Sequence, residues 1–87
     1  MNRTVWKHLI KPGKNILELP FGSEVIHVGE VSGQIYAWSL VDPHDPLNMY
    51  HTLHVHGTGW EDIREDEHHI ATVVMSGGLV WHIFEER

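Results

Sequence analysis

Short runs of β-branched and aromatic residues, each closed by Gly, Pro, Asn, Asp or Ser, recur along this chain at roughly 8–12-residue spacing. Side chains on a strand alternate between two faces, so runs this short can each bury one face, whereas helical apolar periodicity is nearly absent. The pattern predicts an all-β fold, a small antiparallel barrel or sandwich of six to seven strands. The expected strands are Thr4–Ile10, Asn15–Leu19, Glu24–Val31, Gln34–Val41, Tyr50–His56, Ile70–Met75 and Leu79–Glu85.

The breaks between these runs carry their own information. Lys11-Pro12-Gly13-Lys14 interrupts the first run, because Pro cannot donate to a ladder and Gly permits positive φ, and it reads as the turn of a first hairpin. Ser32-Gly33 has the composition of a tight β-turn and pairs Glu24–Val31 with Gln34–Val41. Ser76-Gly77-Gly78 closes a last hairpin, and Asp42–Asn48, with two prolines, is a loop. The stretch Trp60–Glu67 sets Glu61, Asp62, Glu65, Asp66 and Glu67 against Arg64 alone, and reads as either a short helical turn or an exposed loop.

At 87 residues the chain is expected to be one domain, 1–87, burying about 60–65% of its unfolded surface, enough for one core with a small stability margin. Two strands are apolar on both faces. Gln34–Val41 places Ile35, Ala37 and Val41 on one side and Tyr36, Trp38 and Leu40 on the other, and Leu79–Phe84 is similarly double-sided. One small core cannot cover all four faces, so a homo-oligomer is expected.

Six Lys+Arg against 12 Asp+Glu give a net charge of −6, which argues against an electrostatic grip on a nucleic-acid polymer or an anionic membrane. No apolar run approaches the ~18 residues of a membrane span. The absence of Cys removes disulfides, thiolate catalysis and Cys-ligated zinc, in keeping with a reducing cytosol. Met1–Lys7 has no apolar h-region and reads as a mature N-terminus.

Segments spread over most of the chain carry a resemblance. They are Val5-Trp6-Lys7, Leu19-Pro20-Phe21-Gly22, Ala37-Trp38-Ser39-Leu40-Val41-Asp42-Pro43, Gly57-Thr58-Gly59 and Gly78-Leu79-Val80-Trp81-His82-Ile83-Phe84-Glu85. In order and spacing the chain resembles a family of short, uncharacterised proteins of tailed bacteriophages and prophages, known only as a domain of unknown function. The resemblance implies a phage setting, hence the host bacterial cytoplasm, and brings no catalytic residues with it. It also implies that the positions of His54 and His56 take other residue types in other members, and that His82 is structural.

Nine His in 87 residues invite a metal reading. His54 and His56 share a strand face and, with Glu61, spell His-x-His-x4-Glu, similar to the first metal motif of cupins. The flanking glycines of that motif and its second half have no counterpart here, so no metal and no cofactor is expected, with His54, His56 and Glu61 as the alternative. No nucleophile elbow and no paired buried carboxylates appear, so an enzyme is not expected.

Of the four Trp, Trp60 follows the Gly57-Thr58-Gly59 turn in a polar segment, where a Trp more often serves recognition than core. Arg3, Lys7, Lys11 and Lys14 concentrate positive charge in the first 14 residues. Arg3, Lys7, Trp38, Thr58 and Trp60 are therefore the expected ligand-binding residues. The expected function is a non-enzymatic phage accessory protein that counters host defence by sequestering a small, nucleotide-type anion in an oligomer pocket. Docking on a host protein through Trp60–Glu67, a cupin-like metal protein and a minor virion component are the alternatives.

Overall fold

The computed structural model describes residues 2–87; Met1, at the head of the segment read as a mature N-terminus, lies outside them. Seven strands form: β1 (Thr4–Ile10), β2 (Gly13–Pro20), β3 (Glu24–Val31), β4 (Gln34–Val41), β5 (Leu47–Gly57), β6 (Glu67–Val74) and β7 (Val80–Glu86). They make two antiparallel sheets, one ordered β1-β4-β3 and the other β2-β5-β7-β6. The arrangement is a sandwich, thin in one direction, with Cα extents of 41 × 31 × 14 Å.

Alternate residues of each strand fill the space between the sheets. Ile10, Val28, Ile35 and Ala37 from the first sheet meet Leu53, Val55, Val73 and Ile83 from the second. Leu53, Val55 and Ile83 are fully buried, so β5 and β7 form the spine of the four-stranded sheet. Ser39 also faces inward, and its Oγ lies 3.1 Å from Nε2 of His8 on β1.

The β3–β4 hairpin forms as expected, Val31 opposite Gln34, with Ser32 at φ 51° and Gly33 at φ 81°. Positive φ at both loop residues is the turn whose twist matches the flanking strands. The β6–β7 hairpin also forms, Val74 opposite Val80.

Three expectations need correction. Lys11–Pro12 does not close a hairpin: β1 pairs with β4 and β2 with β5, so the chain arches from one sheet to the other. Ile10 and Leu19 are thus both buried, with the strands that carry them on opposite sides of the core. Asn15 closes the arch, accepting from the Lys11 N–H (2.9 Å) and donating to the carbonyls of Lys11 (2.8 Å), Gly13 (3.1 Å) and Leu53 (3.3 Å).

Second, of the two readings of the Trp60–Glu67 stretch the helical turn does not form and the exposed loop does, with turns at 58–59 and 65–66 and residues 60–66 exposed. It must pass β7 to reach the sheet's far edge, and its side chains bond to the outward-facing His56 and Glu86 on the way. Third, β5 begins at Leu47 and β6 at Glu67, each three residues earlier than expected, which brings Glu67 into the sheet opposite Glu86.

Candidate functional site

One end of the sandwich is open. The β1–β2 arch, the β3–β4 turn and the β6–β7 turn surround an apolar mouth of about 300 Å³, walled by Leu9, Ile35, Met75, Leu79 and Trp81 with Lys11 at its rim. That volume is at the lower end of the range for small-molecule sites. The rim is tied in place on both sides. Asn15 holds the arch that carries Lys11, and Glu30 of β3 accepts from both the backbone N–H and the hydroxyl of Ser76, each at 2.8 Å, clamping one sheet to the other.

A second depression of about 420 Å³ adjoins the first across Leu79 and Trp81, and is lined further by Gly57, Thr58 and Trp60. Trp60 meets Trp81 edge to face at 5.7 Å. Its indole lies directly on Gly57, where a Cβ would stand 2.7 Å from the ring, so only glycine lets the strand end approach the indole this closely. The Thr58 hydroxyl lies 2.8 Å from His82 Nε2, which fixes the turn to β7.

The five residues expected to bind ligand do not form one site within a chain. Thr58 and Trp60 line the mouth of the four-stranded sheet. Lys7 and Trp38 are register partners on the outer face of the other sheet, where Lys7 Nζ sits 4.6 Å over the Tyr36 ring and Trp38 packs between Tyr36 and His27. Arg3 is exposed just ahead of β1. Lys11, which the basic N-terminal stretch offered beside Arg3 and Lys7 as a cation for capture, does line the mouth; Trp81 lines it too and was expected to pack, because its place at an open sandwich end does not follow until the first turn is known to be an arch.

The outer face of the four-stranded sheet carries His54 and His56. His54 and His56 stack at 5.8 Å with their planes 11° apart, and both are buried, by Phe84 and by the 58–66 connection. His56 Nδ1–H donates to Asp62 Oδ1 (3.0 Å), and His56 Nε2 lies 2.6 Å from Glu67 Oε1. Glu67 accepts the Arg64 backbone N–H on its other oxygen (3.1 Å), and His54 Nε2 lies 2.8 Å from Glu86, which also pairs with Arg64 (3.1 Å). Burial works to raise the Glu67 carboxyl, yet the bonds from His56 and Arg64, with the charge of the two rings when protonated, hold it below the usual carboxylate range.

Glu61, the carboxylate of the cupin-like motif, is exposed and outside this cluster; Glu67 occupies the place it was expected to take. On the inner face a separate pair forms, His51 Nδ1 at 2.5 Å from Glu85, with His51 Nε2 buried and unbonded among the described residues.

The family model described as a domain of unknown function, DUF7352, matches residues 1–87. No curated protein and no solved structure matches the chain.

Proposed function

The chain belongs to this family of unknown function, and from its own geometry we propose that it is a non-enzymatic binding protein which holds a small anionic aromatic ligand, of nucleotide type, in the mouth of the sandwich. The observation that carries the reading is the convergence of Lys11, Trp81 and Trp60 on two adjoining openings at one end of the core. An aromatic base gains from burial against indole and aliphatic walls, and an ammonium at the rim attracts its phosphate. Glycine at position 57 and the Glu30–Ser76 clamp supply a preformed wall, which lowers the ordering cost of binding.

In the phage setting that the sequence resemblance suggests, such capture would remove a host signal from the bacterial cytoplasm. Assembly as a homo-oligomer is part of the proposal. On the outer face of the three-stranded sheet Val5, Leu9 and Val31 are exposed, and Tyr36, Trp38 and Leu40 are only half covered, a face suited to a second copy.

Tryptophan fluorescence of the untagged chain, titrated with adenine and guanine nucleoside phosphates in linear and cyclic forms, tests this directly. One or more of these should saturate the signal, with Lys11→Ala and Trp60→Ala each weakening binding roughly tenfold. Absence of saturation by any of them, or affinity unchanged in both variants, would remove the proposal. A second reading, docking on a host protein, is favoured by one feature: Trp60 and Ile63 are 46% and 44% exposed beside Glu61 and Glu65. Retention of a bacterial protein that Ile63→Ala releases, without nucleotide binding, would select it.

A further inference from the structure

We propose that His54, His56 and Glu67 form a site for one divalent transition cation of the zinc class, separate from the mouth and independent of what the mouth binds. One ligand atom from each of these three buried side chains lies within 4.8 Å of the other two. Two imidazoles and a carboxylate are the ligand set that zinc and its first-row neighbours take in three-residue sites.

Charge is the first argument. The carboxylates of Asp62, Glu67 and Glu86 gather around two imidazoles, and the one fixed positive charge beside them, the Arg64 guanidinium, is shared with Asp66. With the imidazoles neutral the cluster is net negative, and the Glu67 side chain, only 1% exposed, is its one deeply buried carboxylate. Buried charge without a partner is costly, and a divalent ion held by the two imidazoles and Glu67 would compensate it.

The second argument is orientation. Asp62 Oδ1 lies 3.0 Å from His56 Nδ1 and so holds the ring with Nε2 facing Glu67 Oε1. At 2.6 Å a proton bridges His56 Nε2 and Glu67 Oε1, and a zinc ion would take that proton's place with the two atoms parting to about 3.3 Å. A carboxylate that holds one imidazole nitrogen while the other faces an ion is the usual support of a metal-ligating histidine. The Arg64 backbone N–H gives Glu67 the same support by occupying its second oxygen.

The third argument is rigidity. His54 and His56 alternate with Leu53 and Val55, both fully buried on the opposite face, so the strand that presents the ligands is fixed by the core. Glu86 lies 2.8 Å from His54 Nε2, and Asp62 and Arg64, which bond to the cluster, are 65% and 56% exposed. Phe84, edge-on to His56, limits water on one side.

The test is Zn²⁺ titration, by calorimetry, of the full-length untagged chain after dialysis against a chelator, with Co²⁺ visible spectroscopy alongside. One ion per chain is expected, with Co²⁺ bands of a four-coordinate nitrogen–oxygen site. His56→Gln and Glu67→Gln should each lower affinity at least about 100-fold, and Asp62→Asn about tenfold through the His56 ring. Glu61→Gln, His27→Gln and His44→Gln, all at exposed positions, should leave it unchanged. Circular dichroism of the chelated variants shows whether each still folds. Asp62→Asn, altered at an exposed carboxylate, and the wild-type Co²⁺ spectrum keep the test decisive if the others do not. No bound ion, or loss shared equally by His27→Gln and His44→Gln, overturns the site and leaves an imidazolium–carboxylate cluster.

Discussion

Gly57 decides the shape of the candidate site more than any side chain in it. Its missing Cβ is filled by the Trp60 indole, which in turn rests on Trp81. Gly57→Ala is expected to push the indole away, cost about 1–3 kcal/mol of stability and change the Trp fluorescence maximum without ligand. A crystal structure of that variant with Trp60 unmoved would contradict the packing described. A pH effect belongs to His8, whose pKa is lowered by burial beneath the first sheet. The folded chain then binds fewer protons at His8 than the unfolded chain, so this contribution is complete above the ordinary value of about 6.5. It is lost as pH falls from there toward the lower folded value. His8→Gln, which can still bond Ser39, should flatten the decline of the urea midpoint between about pH 7 and pH 5. Single residues were legible from the sequence where one rule acted alone, as with His54 and His56 sharing a strand face. Glu67 was not, because its role depends on the β6–β7 register and on the bulge between His69 and Ala71 that sets it opposite Glu86.

Elements were legible wherever the connection was a two-residue turn. Ser32-Gly33 defines the β3–β4 hairpin by its backbone demand, and Ser32→Asn, better suited to positive φ, is expected to raise stability by a few tenths to about 1 kcal/mol. A lower melting temperature for that variant would count against this turn geometry. The β1–β2 reversal misled because a Pro-Gly break looks the same whether the strands pair or part. What separates them here is Asn15, whose side chain bonds three carbonyls including Leu53 on β5, and that contact lies 38 residues away in sequence. Across the mouth, Glu30→Gln loosens the clamp on Ser76. Hydrogen exchange at the β6–β7 turn should quicken, with about 0.5–1 kcal/mol lost overall.

At the scale of the whole molecule, an 87-residue sandwich two layers deep has one shared core and two outer faces with different fates. The 58–66 connection covers part of one face, and the histidine cluster lies beneath it. The other leaves Val5 and Leu9 exposed and Tyr36 and Trp38 half covered, the outer side of the double-sided strand Gln34–Val41. Leu53→Ala, at the fully buried centre, should cost about 2–5 kcal/mol, enough to unfold a domain of this size under mild conditions. On the proposed assembly through this face, Val5→Lys should leave the fold intact and reduce the sedimentation coefficient to that of one chain. The proposed function turns on whether the mouth holds a ligand. Native mass spectrometry of untagged protein, gently purified, reads subunit number and retained mass together. An oligomer carrying added mass in the nucleotide range, lost in the Lys11→Ala/Trp60→Ala double variant, is the predicted result. Protein that is bare, and stays bare after incubation with a deproteinised bacterial extract, would contradict it.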